Sequence, residues 1–167
     1  MVAGLPKTRT GSEDERAALA AAAAALGGIR EELAGAIDAD TAAYDQVVAA
    51  YRRPKATPGE PSARTAAIQQ ALRAATDVPL GVMRVSAAAL AEATAVAAHG
   101  NRNAASDVGV AVALLRAGLR GARLNIETNV GSVVDQAYGT AVSAETARLS
   151  ETAEHAAGEA EALLRKG

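Results

Sequence analysis

More than a quarter of this 167-residue chain is alanine, and Phe, Trp and Cys are absent from it altogether. Alanine enters a helix without losing side-chain freedom, so this composition favours helix over strand. Small side chains let helices approach closely, but each contact removes little apolar area from water. At roughly 25 cal/mol per Å² buried, a core of Ala, Val and Leu is thin. A second copy would bury more, so a dimer is expected, two-fold symmetry being the commonest closure. The length suits one domain, taken as residues 1–167.

Charge and pattern remove several classes. A net charge of −2 leaves no electrostatic footprint for nucleic acid, and there are almost no aromatic side chains on which bases could stack. The Ala18–Leu26 run is too short for a membrane span and follows acidic rather than basic residues. Without Cys there are no disulfides and no thiolate metal sites. No partner membrane or nucleic acid is therefore expected, and the cytoplasm is the default compartment.

Four helical stretches follow from periodicity and punctuation. Ser12-Glu13-Asp14-Glu15 has the form of a capping box, and its acids suit the positive end of a helix dipole. From there to about Arg53 no proline intervenes, and Leu19, Ala22, Leu26, Ile29, Leu33 and Ile37 recur at helical spacing. Pro54, Pro58, Gly59 and Pro61 mark a loop. Ser62 is the expected cap of a second helix, which Pro79 should kink or briefly break before it ends near His99-Gly100. Ser106-Asp107 opens a third helix, Gly131-Ser132 interrupts it, and an amphipathic fourth runs to about Leu164. The expected architecture is all-α: an antiparallel bundle with short loops.

Several polar residues call for a reason. Asp40 and Tyr44 stand at i and i+4, so they share a helix face and either point together into a pocket or form a solvated pair. Asn125 and Asn129 repeat that spacing on the third helix, where Asn is a poor interior residue because its side chain competes for backbone groups. They either bind a ligand or pair across a helix or dimer seam. Ser106 and Asp107 both suit a helix cap. Asn101 and Asn103 suit turn geometry, and His99 is placed to meet terminal carbonyls. His155 is expected to face solvent, and Gly118 and Gly139 to permit close helix approach.

Five segments, in order, resemble the formiminotetrahydrofolate cyclodeaminase and methenyltetrahydrofolate cyclohydrolase family. They are Asp38–Tyr44 with Arg53-Pro54, Arg64–Leu72, Ala75–Leu80, Gly100–Gly109 (Gly-Asn-Arg-Asn-Ala-Ala-Ser-Asp-Val-Gly) and Gly121–Asn129. Family members usually open with a helix preceded by a Pro-Gly-Gly-Gly-Ser-like loop. Here Met1-Val-Ala-Gly-Leu5 looks like the end of that helix, with no glycine-rich loop.

The resemblance implies chemistry at the one-carbon unit of a tetrahydrofolate derivative. One reaction cyclises 5-formiminotetrahydrofolate and expels ammonia; the other hydrolyses 5,10-methenyltetrahydrofolate. Both pass through a tetrahedral carbon between nitrogens, so both need proton transfer and stabilisation of a cationic amidine-like centre. It implies no metal and no cofactor beyond the folate substrate. On this footing Asp107 and Asp40 are the candidate proton-transfer groups. Tyr44, Arg64, Asn101, Asn103, Ser106, Asn125 and Asn129 are the candidate substrate contacts. Asn125 and Asn129 would meet the pterin edge, and Arg64, Arg102 and Lys55 a folate carboxylate. Asp40, Asp107, Asn125 and Asn129 are expected to converge on one cleft.

Overall fold

A computed structural model describes residues 2–5 and 11–166. It contains four long α-helices: α1 (Glu13–Tyr51), α2 (Glu60–His99), α3 (Ala105–Val130) and α4 (Gln136–Lys166). Short 3-10 turns at Val2–Gly4 and Arg102–Ala104 complete it, and no strand occurs among the described residues. Successive helices alternate in direction.

The start of α1 is as its sequence dictates. Ser12 Oγ accepts from the Glu15 amide at 3.2 Å, and Glu15 accepts from the Ser12 amide at 3.1 Å. The helix passes through Gly27-Gly28 without interruption. Its last turn is closed from the next helix: Arg64 donates twice to the Tyr51 carbonyl, at 2.9 and 3.2 Å.

At α2 the expected cap is wrong and the kink-or-break expectation loses its second half. It begins at Glu60, ahead of Ser62, because Gly59 takes a left-handed φ of 95° at the cap position. The Glu60 carboxylate folds back onto the amides of Ala56 and Thr57, both at 2.8 Å, and organises the turn ahead of the helix, while Ser62 lies inside its first turn. Pro79 does not break the helix, which runs 40 residues to His99. At that end Gly100 is required: a Cβ there would stand 2.4 Å from the Val96 carbonyl oxygen.

The third and fourth helices start differently from one another. Neither Ser106 nor Asp107 caps α3; the cap position is Ala104, and both polar residues lie inside the first turn. α4 is initiated by Asp135, whose Oδ1 accepts from the Tyr138 amide at 3.0 Å.

The helices are not equivalent. α2 packs against all three others, α3 and α4 pack on each other, and α1 packs chiefly on α2, with the Val2–Gly4 turn against its first part. The main core lies between α2, α3 and α4, where Met83, Leu90 and Val112 are fully buried and Ile126 nearly so. α1 is fastened at two places. Near its start Ala22 joins Ala3, Val96 and Val108; near its end Ala50 joins Ile68, Ala71, Leu72 and Val133. None of residues 23–42 is buried. α2 is also long and apolar enough to cross a membrane, with a mean hydropathy of 1.4 over 18 residues, but here it is the central helix of the bundle.

Candidate functional site

Because α1 and α3 both lean on α2 and meet each other only near the Ala22–Val108 cluster, an open groove runs between them with α2 as its floor. It lies along the part of α1 that has no buried residue. Two cavities occupy it, of about 350 and 320 Å³, at the lower end of the range usual for small-molecule sites. The floor is built of small and β-branched residues: Ala89, Ala93 and Val96 in one, Val78, Pro79 and Val82 in the other.

Asp40 from α1 and Asn125 from α3 line the second cavity together, across Pro79. This brings two of the expected residues to one place. Asp107 is elsewhere: it lines the first cavity with Arg30. Residues 107 and 125 do share a face of α3, since eighteen residues make five turns, but at 1.5 Å per residue they stand about 27 Å apart. The expected four-residue convergence is therefore wrong. The face is right and the distance along the helix is not.

Asn129 follows Asn125 by one turn, half-buried, and its Nδ2 donates to the Ala75 carbonyl of α2 at 2.8 Å. It makes a cross-helix bond, one of the two roles its sequence position left open. Tyr44 shares a face with Asp40 but is 66% exposed and lines no cavity. Arg64 is engaged by the Tyr51 carbonyl and lies 5.6 Å from the Tyr51 ring centre, so it serves the α1–α2 turn.

The Gly100–Gly109 segment is more local than its motif implied. Asn101 Oδ1 accepts from the Asn103 amide at 2.9 Å, capping the 3-10 turn, and Asn101 borders a cavity of about 280 Å³ at the bundle's end with Arg102 and Lys166. Asn103 and Ser106 are exposed and line neither that cavity nor the two of the groove. His99 faces the Glu15 carboxylate at 3.7 Å rather than terminal carbonyls, and its Nδ1 has no hydrogen bond. His155 is exposed, as expected. Gly139 does sit close to a neighbour, its Cβ position 3.4 Å from Val130 Cγ1; Gly118 meets nothing and borders the groove.

Sequence reading missed the ties between α2 and α4. Tyr138 donates from its hydroxyl to Asp77 at 2.7 Å, and the Arg73 guanidinium lies 5.0 Å from its ring centre and pairs with Asp135. Desolvation by burial, then the bond to Asp77, raises the Tyr138 phenol to about 12. Arg84 grips Glu145 through two bonds of 2.7 and 2.8 Å, which holds the Glu145 carboxyl below its usual range. These partners are about sixty positions apart, so no local spacing announces them. The Asp135–Tyr138 cap could have been read from an acid standing immediately before an amphipathic stretch. Among the described residues no three His, Asp or Glu side chains are grouped to hold a metal ion.

An all-helical chain whose second helix is a hub, with carboxamide and carboxylate groups facing a groove beside it, defines a helix-bundle protein with a small-molecule-sized cleft. The chain belongs to the formiminotransferase-cyclodeaminase family, whose model matches residues 1–148. It is 47% identical over 111 residues to the methenyltetrahydrofolate cyclohydrolase of Methylorubrum extorquens, covering 66% of this chain and 53% of that protein. To the formimidoyltransferase-cyclodeaminase of Gallus gallus it is 32% identical over 136 residues, 81% of this chain and 25% of that one. The solved structure of formiminotetrahydrofolate cyclodeaminase from Thermotoga maritima superposes with a TM-score of 0.86 at 25% identity, over 99% of this chain and 79% of that chain. The chain thus matches about half the length of the first of these relatives and a quarter of the second.

Proposed function

We propose that this chain converts the one-carbon unit of a tetrahydrofolate derivative at the Asp40–Asn125 end of the groove. The observation that carries this reading is the shared cavity: two polar groups from different helices of a cyclodeaminase-family chain face one apolar-floored pocket. In the hydrolytic direction water adds to the methenyl carbon, one carbon–nitrogen bond then breaks, and that nitrogen takes the proton. In the cyclising direction the second nitrogen attacks the formimino carbon, and the departing nitrogen leaves as ammonia after protonation. Asp40 supplies the carboxylate that offsets the cationic carbon and moves the proton, while Asn125 orients the ring. Asp107, about 27 Å along α3, takes no part in that step. The reaction as drawn needs no cofactor beyond the folate, and its compartment is the cytoplasm.

A homodimer belongs to the same proposal. Tyr44, Val110, Leu114 and Leu124 are large apolar side chains that stand 59–67% exposed on α1 and α3. A second copy on that side would cover them and supply the area the thin core lacks.

The test is the methenyl absorbance assay beside calorimetry with tetrahydrofolate derivatives. Asp40→Asn should lower kcat on the order of 10²-fold or more, and Asp107→Asn far less. No folate binding by the parent chain, or an undiminished Asp40→Asn variant, overturns the reading.

A further inference from the structure

Proline inside a helix leaves a debt four residues earlier. Pro79 has no amide proton, so the Ala75 carbonyl, which an ordinary residue at 79 would satisfy, loses its helical partner. An unpaired carbonyl in a packed helix interface costs free energy that the rest of the fold must offset. Here the partner comes from another helix: Asn129 Nδ2 donates to that same carbonyl at 2.8 Å. The 40-residue helix is therefore uninterrupted at its proline because a neighbouring side chain occupies the vacated position.

The bond also settles which way the Asn129 amide points. A carbonyl can only accept, so the group facing Ala75 is the NH₂ and the opposite side presents Oδ1. Among the described residues no group donates to that oxygen. One turn back along α3, Asn125 lines the cavity that Pro79 floors.

We infer that Pro79 and Asn129 are a matched pair in which the Asn129 amide supplies the donor that the proline lacks, making Asn129 a positioning residue for the α2 segment that floors the Asp40–Asn125 cavity. The pairing rests on the two helices alone, and its consequence for a ligand rests on the folate reading.

A double-mutant cycle on the full chain tests it, read first by thermal unfolding without ligand. Asn129→Asp removes the donor and sets a carboxylate against the bare carbonyl, so Tm should fall. Pro79→Ala restores an amide at 79, and in that background Asn129→Asp should cost little or nothing. Equal losses in both backgrounds overturn the pairing. Activity separates positioning from simple stability. Well below the unfolding temperature, Asn129→Asp should raise KM about tenfold with kcat little changed, and adding Pro79→Ala should bring KM back to within about threefold of the parent. A raised KM that Pro79→Ala leaves unrestored overturns the positioning role. If the Tm coupling appears and no variant or parent binds folate, the pairing stands and the folate reading falls.

Discussion

The face of α2 turned toward α3 and α4 and the face turned toward α1 are built from the same few residue types, yet they behave as different materials. On one side Met83, Leu90 and Val112 have no exposure at all, and Arg84–Glu145, Arg73–Asp135 and Tyr138–Asp77 tie the rims. On the other, α1 is fastened near Ala22 and Ala50 and leaves a groove between. The difference teaches where an alanine-rich chain spends its few large side chains. They bury the α3- and α4-facing side of α2 and leave its α1-facing side open enough to receive a ligand.

The contrast should break most plainly in the core. Leu90→Ala removes a fully buried side chain, and a loss of about 2–5 kcal/mol in denaturant unfolding is expected. Ile37→Ala on the groove side, 70% exposed, should change stability by less than about 0.5 kcal/mol. Comparable losses would mean that α1 is held as tightly as α3 and α4.

A smaller effect tests the α2–α4 rim. Tyr138→Phe deletes the bond to Asp77 and should cost on the order of 1 kcal/mol. The parent should show one phenol titrating near 12 instead of 10, which phenolate absorbance reads. Because the folded value is the raised one, this contribution is intact below pH 10 and is lost as pH climbs toward 12. A titration with no component near 12 would remove the desolvated tyrosine from the account.

The smallest effect lies at acid pH. Glu145 is lowered from 4.5 chiefly by its bond to Arg84, and Asp135 from 3.8 chiefly by the Tyr138 amide. Lowered folded values mean that the stabilisation is complete above those ordinary values and fades as pH falls through the folded ones. Arg84→Ala should flatten that decline by a few tenths of a kcal/mol, as expected for a largely exposed pair. An unchanged acid limb would show that Arg84 and Glu145 do not couple.

How much of this was legible beforehand depended on whether the cause was local. The Ser12–Glu15 box, the Pro-rich turn and the four helices rest on neighbours three or four residues apart, and they stand. That Pro79 leaves the helix unbroken was not legible, because the donor to its freed carbonyl, Asn129, lies on another helix. The expected convergence of Asp107 with Asn125 was already excluded by the sequence, since eighteen residues of one helix put about 27 Å between them even on a shared face. Arg64 and Asn101 looked like ligand contacts and serve turns, since the same donors that meet a substrate also meet backbone.

The hub position of α2 also has a bearing on synthesis. Most packed pairs join helices that follow one another in the chain, and the exception is α2 with α4, which skips α3. Neighbour pairs close short loops and form quickly. The face of α2 carrying Met83 and Leu90 stays uncovered until Val142, Leu149 and the alanines of α4 have left the ribosome. A nascent chain halted before α4 would therefore present its most apolar surface to chaperones, and the last helix made is the one that ends that exposure.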